Sequence, residues 1–233
     1  MVSSKAGALI SSALKEGRTS LLEFEADQVA REYGIKVAEA GLAKNRETAL
    51  SIARRIGFPL VMKIVSPDII HKSDVGGVIV GVDSNGGVSE AFLNIMRNAK
   101  RARPKAKIEG VLVQKMAPKS FEFVVGGVRD PQFGPTVMFG LGGIYIELFK
   151  DVAFRLAPLS KREAISMMEE TKSSALLSGF RGSKPLDIDS GAEMIIAVGK
   201  LISENPQVQS VDINPLFIYD WGSLAVDVRI IVG

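Results

Sequence analysis

The chain contains no cysteine, which excludes disulfides, thiolate-bound zinc and a catalytic thiol together. Histidine is nearly absent too, so any imidazole chemistry must run through the single one, His71. Long apolar runs are missing. The longest, such as Leu60 to Met62 and Ile230 to Val232, fall far short of the roughly 20 residues that span a bilayer. Met1 to Gly17 lack the apolar centre of a signal peptide. Neither sign of charge dominates: 29 Lys and Arg against 26 Asp and Glu leave +3, too little for a general nucleic-acid footprint. These absences predict a soluble cytoplasmic protein with no membrane and no nucleic-acid partner. What is present fits a packed core, since 46% hydrophobic and 24% charged residues lie near the globular average and argue against disorder.

Helical and strand-like periodicities alternate, which predicts an α/β (α+β) protein. Glu23 to Tyr33 reads as a helix closed by Gly34, and Glu47 to Ile56 as one closed by Gly57 and followed by Pro59. Ser160 with Glu163, and Ser190 with Glu193, fit the capping box. Strands are expected at Leu60–Val65, Val75–Asp83, Ile108–Met116, Phe121–Val128, Thr136–Phe139, Ile144–Phe149, Val152–Leu156, Val211–Ile218 and Leu224–Val232. Many of these follow one another with no helix between, so antiparallel pairing is expected in the second half. The expected division is an N-terminal segment (1–20), a smaller lobe (21–116) and a larger, sheet-rich lobe (117–233). Arg97, Lys100, Arg101, Arg103, Lys105 and Lys107 follow a helix whose apolar stripe includes Val88, Phe92 and Ile95. They read first as a solvated helix end opposing the helix dipole, and alternatively as a basic nucleic-acid-binding module, although no aromatic residues interleave to stack bases.

Two motifs fail. Gly140-Leu-Gly-Gly143 precedes strand-like residues where a dinucleotide fingerprint must open a helix. Gly199-Lys200 lacks both the first glycine and the Ser or Thr of a P-loop. Three features survive. Lys63 alternates with Val61 and Val65, so its ammonium sits on an apolar face and needs an anion such as a phosphate; a lysine snorkelling from an edge strand fits the same spacing. Asp212 and Asn214 are two apart, and Asp227 lies on the next strand. If 220–223 is a four-residue turn, 214 sits opposite 229 and 216 opposite 227, leaving Asn214 and Asp227 diagonal on one face, where they suit a hard cation. A hairpin with a polar outer face fits as well. Third, His71 lies in the loop Ser66-Pro-Asp-Ile-Ile-His-Lys-Ser-Asp-Val-Gly-Gly77, where a neutral imidazole is nucleophilic at pH 7, Lys72 adds a cation and Gly76-Gly77 allow close backbone approach. Pro67 and the few large apolar residues beyond Ile69 and Ile70 suggest that this loop moves. A structural histidine is the competing reading.

Val61-Met-Lys-Ile-Val-Ser-Pro-Asp-Ile-Ile-His-Lys-Ser-Asp-Val-Gly-Gly-Val78, Asp130-Pro-Gln-Phe-Gly-Pro-Thr-Val-Met-Phe-Gly-Leu-Gly-Gly143, Val152-Ala-Phe-Arg-Leu-Ala-Pro-Leu159 and Asp212-Ile-Asn-Pro-Leu216 together resemble the beta subunits of ADP-forming acetyl-CoA synthetases, relatives of succinyl-CoA synthetase. The resemblance implies an ATP-grasp fold, two lobes with nucleotide (ATP or ADP) bound between them. It implies that Lys63, Gly76 and Gly77 serve the nucleotide phosphates. Gln114, Lys115 and Met116 would form a hinge recognising adenine, and Glu122 would be an acidic residue facing the nucleotide. Asn214 and Asp227 match the ligands of Mg2+. Asp212 stands where the succinyl enzyme has a glutamate near its phosphohistidine, and His71 matches a histidine that the succinyl enzymes lack. A CoA-binding alpha subunit is the implied partner, in an α2β2 heterotetramer, with phosphohistidine relaying the phosphoryl group. A fused protein acetyltransferase is the nearest rival; intact Lys63, His71, Asp212, Asn214 and Asp227 argue against it.

Overall fold

The computed structural model describes residues 5–143, 151–179 and 182–233. The chain forms two compact units, Met1–Val37 with Lys119–Gly233, and Ala38–Pro118. The N-terminal helices α1 (Lys5–Lys15) and α2 (Glu23–Glu32) thus belong with the second half of the sequence, not with the residues that follow them. The division expected from sequence, with a separate segment 1–20 and a lobe starting at 21, differs from this. The reason is physical. Ile10, Leu21, Val29 and Ile35 enter one core with Phe123, Phe139 and Ile213, and the Leu21 amide donates to the Ile230 carbonyl at 3.0 Å. The Ala225 amide donates to Lys36 at 2.8 Å and the Val232 amide to Thr19 at 2.9 Å, so the segment completes the backbone pairing of the C-terminal strands.

In the smaller unit the strands β1 (Ala40–Ala43), β2 (Leu60–Val65), β3 (Val78–Val82) and β4 (Gly110–Lys115) form an antiparallel sheet ordered β1-β4-β2-β3. Helices α3 (Arg46–Ile56) and α4 (Asn85–Ala102) supply its core. The caps explain their starts: the Asn45 side chain accepts from the Thr48 amide at 2.8 Å, and Ser84 Oγ from the Gly87 amide at 3.2 Å. Ala49, Ala53, Val88, Phe92 and Ile95 meet Leu60, Met62, Ile64, Val111 and Val113, the inward set of a period-two alternation. Lys100 and Arg101 occupy the last turn of α4 and oppose its dipole.

The larger unit is built on β5 (Glu122–Asp130), β6 (Gly134–Leu141), β7 (Val152–Leu156), β8 (Val208–Tyr219), β9 (Gly222–Ala225) and β10 (Val228–Val232). The order is β10-β8-β5-β6-β7, with β9 also on β8, and every pair is antiparallel. Helices α5 (Lys161–Glu169), α6 (Ser174–Leu177) and α7 (Ile188–Glu204) complete the unit. Met167, Met168, Ile195, Val198 and Ile202 pack with Phe123, Val125, Val137, Phe139, Val211 and Ile213. Phe123 and Phe139 stack with ring centroids 5.5 Å apart. Truncating either to alanine would cost about 3–5 kcal/mol.

Several local expectations need correction. A strand at Ala40–Ala43 was not anticipated; only four residues long, it carries too little pattern to read. Val75 belongs to a short 3-10 turn (Ser73–Val75), so β3 begins at Val78. The Ser160 and Glu163 capping box is present, but α7 is capped by Asp187, whose carboxylate accepts from the Ser190 amide at 2.9 Å. Ser190 instead shares a hydrogen bond of 2.6 Å with the hydroxyl of buried Ser223. The expected strand Leu224–Val232 is interrupted at Val226 and Asp227, between β9 and β10, just after Ala225, whose amide donates to the Lys36 carbonyl. The strand expected at 144–149 lies outside the described residues.

Candidate functional site

In the smaller unit, Lys63 is buried, with 6% of its surface exposed. It lies opposite Leu112 on β4 and Val78 on β3 and alternates with the core residues Met62 and Ile64, so it points to the face away from the helices. β2 lies between β4 and β3, so the edge-strand alternative fails. Gln114, completely buried, stands opposite Val61 on the same face. A buried ammonium and amide on one otherwise apolar face are what a polar ligand's site requires. Lys115 and Met116, expected from the resemblance as hinge residues, are tied into their own unit. Lys115 Nζ donates to the Phe58 carbonyl at 2.6 Å and the Gly57 carbonyl at 3.2 Å, the Lys115 amide to Glu39 at 2.7 Å, and the Met116 amide to Pro59 at 3.1 Å.

His71 is exposed on a loop pinned at both ends. Upstream, Ile69 is buried in the core of the unit, and the Asp68 carboxylate accepts from the Lys107 amide at 2.6 Å. Downstream, the Ile64 amide donates to the Gly77 carbonyl at 2.7 Å and Asn98 Nδ2 to the Gly76 carbonyl at 3.2 Å. A Cβ at Gly77 would come within 2.5 Å of Ile64 Cγ2 and 2.9 Å of the Lys72 carbonyl, and Gly76 adopts a φ of 62°. The glycine pair therefore shapes the loop, and its amides are already engaged, Gly76 with Ser73 at 3.0 Å and Gly77 with Lys72 at 2.8 Å. Between these anchors Ile70 is 60% exposed and His71 is exposed. These anchors place His71 at the exposed tip of the loop.

In the larger unit, β8 turns into β9 through two residues, Asp220 and Trp221, because Tyr219 pairs with Gly222. The four-residue turn expected from sequence is corrected: Ser223 is held in the strand by its hydroxyl bonds to Ser190. The register moves by two residues, which keeps every side chain on its face. Val228 pairs with Ile213 and Arg229 with Asp212, and the Asn214 amide donates to the Asp227 carbonyl at 3.2 Å. Asn214 and Asp227 are therefore directly opposed rather than diagonal. Val211, Ile213, Val228 and Ile230 enter the core, so Asp212, Asn214, Asp227 and Arg229 share the opposite face. Arg229, not singled out from sequence, was legible from its two-residue spacing from Asp227.

Electrostatics set this face apart. The Asp212 carboxyl is raised above the ordinary carboxylate range, first by burial against the sheet although the residue reaches solvent, then by the Asp227 charge; Arg229 opposes the shift. Two mutually repelling carboxylates beside an amide oxygen suit a hard divalent cation. Among the described residues no three His, Cys, Asp or Glu side chains form a metal-binding group, so such a cation would complete its shell with phosphate oxygens and water. Glu122, exposed at the start of β5, lies opposite Phe217, and its carbonyl accepts from the Gly142 amide at 2.7 Å. A Cβ at Gly143 would come 2.7 Å from Glu122 Oε2, so the glycine-rich end of β6 makes room for that carboxylate. Gly140 is inside β6, while the residues after Gly143, on which the sequence argument turned, lie outside the described residues.

A four-stranded antiparallel unit carrying a buried lysine, and a larger antiparallel unit carrying a face of acidic and amide side chains, suit a nucleotide-binding class. A family model described as ATP-grasp domain matches residues 12–232. The acetate–CoA ligase [ADP-forming] I subunit beta of Pyrococcus furiosus is 47% identical over 228 residues, covering 98% of each chain. Acetyl-coenzyme A synthetase 1 of Ca. Korarchaeum cryptofilum, solved in complex with coenzyme A and Ca-AMPCP, superposes with a TM-score of 0.94 at 50% identity, covering 97% of this chain and 99% of that one. The same synthetase with coenzyme A and Mg-AMPPCP, its phosphohistidine segment pointing towards the nucleotide binding site, matches at a TM-score of 0.88 and 45% identity, covering 98% of this chain and 100% of that one. The chain belongs to the ATP-grasp family, in its branch of ADP-forming acetate–CoA ligase beta subunits. A beta subunit implies an alpha partner.

Proposed function

We propose that this chain is the nucleotide-binding subunit of an ADP-forming acyl-CoA synthetase, an acid–thiol ligase that catalyses acyl-CoA + ADP + phosphate ⇌ carboxylic acid + ATP + CoA with its alpha partner. The observation that carries the reading is the shared face of Asp212, Asn214 and Asp227, a cation site short of ligands that nucleotide phosphates can supply. Asn214 and Asp227 would hold Mg2+, which would supply neutralisation of phosphate charge. Lys63 contacts the nucleotide phosphates, and Gly76 and Gly77 act by shaping the loop. Glu122 faces the nucleotide. At Gln114, Lys115 and Met116, adenine recognition falls on groups other than the two engaged amides, such as carbonyl oxygens accepting from the base.

His71 carries the phosphoryl group. Towards ATP, an ADP oxygen attacks the phosphorus, the P–N bond breaks, and its electron pair returns to the imidazole. Asp212 contributes negative charge beside the cation ligands. Magnesium apart, the catalytic contribution is positioning and charge, as phosphoryl transfer requires. The partner binds CoA and the acid, passes the phosphoryl group to His71, and assembles with this chain as α2β2 in the cytoplasm. The test is co-purification with the partner followed by assay of ATP from acetyl-CoA, ADP and phosphate. An assembled complex that makes no ATP overturns the reading.

A further inference from the structure

Charge on the Asp212 face does not balance for the reaction proposed above, and the inference rests on that reading. Two carboxylates, Asp212 and Asp227, offset the two charges of a magnesium ion, which leaves a travelling phosphoryl group with little net positive charge from this face. One cation stands on it. Arg229 is the cross-strand partner of Asp212 and follows Asp227 by two residues on β10, so all three side chains leave the sheet on one side. Adjacent strands are about 4.8 Å apart and alternate residues about 6.8 Å, so the Arg229 backbone is within one side chain's length of both acidic positions.

The guanidinium is not used to hold the fold together. Arg18 is tied to Glu25 at 2.7 Å and Arg129 donates to three carbonyls, those of Val208, Ile202 and Asn205, whereas exposed Arg229 makes no side-chain hydrogen bond or ion pair among the described residues. It does not close on Asp212 despite facing it across the strands. A cation displayed beside a carboxylate without pairing to it, on the face where a dianionic group must be received, fits phosphate recognition by a planar fork of donors.

We infer that Arg229 is a further phosphate-binding residue of this face, engaging oxygens of the phosphoryl group that is transferred. Its contact is made to the group in transit rather than to the resting nucleotide.

The test follows acid-labile phosphate on the full chain, with ATP and Mg2+, in wild type, Arg229→Ala, Arg229→Lys and His71→Ala, with ADP affinity and thermal melting measured alongside. Wild type labels and His71→Ala does not if the function proposed above holds; a wild type that never labels overturns that function and this inference together. Given labelling, Arg229→Ala is expected to slow it at least tenfold, a loss of the order seen when one charge-stabilising donor is removed, with ADP affinity within about threefold and the melting temperature unchanged. Arg229→Lys restores part of the rate, because it keeps the charge and loses the fork. Labelling of Arg229→Ala at the wild-type rate overturns the inference. So does an equal loss of ADP affinity, which would make Arg229 a ground-state nucleotide ligand, or a lowered melting temperature without rescue by lysine, which would make it structural.

Discussion

The Asn214 amide on β8 donates to the carbonyl of Asp227, the residue just before β10, at 3.2 Å, which sets the two residues opposite each other. β8 contains one residue more than β5 between the pairs Val125–Ile213 and Phe123–Leu216, and Asn214 falls within that bulge. Bulges re-aim side chains beside functional sites. Here the bulge holds the Asn214 side-chain amide proposed to meet the cation.

Asp227→Ala removes the charged member of the proposed cation pair, Asn214 and Asp227, and should abolish stabilisation by magnesium and ADP. A ligand at about 100 times its Kd adds about 2.7 kcal/mol, so the wild-type melting shift should be several degrees and the variant's near zero. Thermal melting with and without Mg2+ and ADP measures it. An undiminished shift removes Asp227 from the site.

Asp212→Asn should make the ligand-free protein more stable at neutral pH while impairing phosphoryl transfer. A carboxyl raised in the fold binds its proton more tightly there than in the unfolded chain, so the native state loses stability as pH rises through the raised range. The neutral amide avoids that loss and the repulsion from Asp227. Melting curves at pH 4 and pH 7, compared with wild type, test the sign; a variant less stable at pH 7 contradicts it.

Lys63→Met should keep the fold, because it replaces a buried ammonium by an apolar chain of similar length. ADP affinity should fall at least about tenfold as a charged phosphate contact is lost. Isothermal titration with ADP is decisive, and unchanged affinity would make Lys63 structural.

Gly77→Ala should destabilise the smaller unit by about 1–3 kcal/mol, since its Cβ meets Ile64 Cγ2 at 2.5 Å. His71→Ala, at an exposed position, should cost less than about 0.5 kcal/mol yet eliminate ATP formation. Chemical denaturation paired with the activity assay separates the two. Equal effects of the two substitutions on stability would mean that the loop tip is packed.

Sequence alone determined a great deal, for local physical reasons. β2 and β7 are bounded as the alternation and its punctuation predict, because period two and turn residues act over a few neighbours. The same local rule put Asp212 beside Asn214 on one face, and Lys63 beside Val61. The resemblance of the motifs fixed the family, since the residues that carry it are contiguous in the chain. Only the tertiary structure decided that Met1–Val37 joins the C-terminal sheet, because the bonds to Ile230 and Ala225 span nearly the whole sequence. It also decided the register that sets Asn214 against Asp227, since that depends on whether Ser223 joins the turn or bonds to Ser190, 33 residues away. Local spacing names the side chains on a face; long-range hydrogen bonds choose which of them meet.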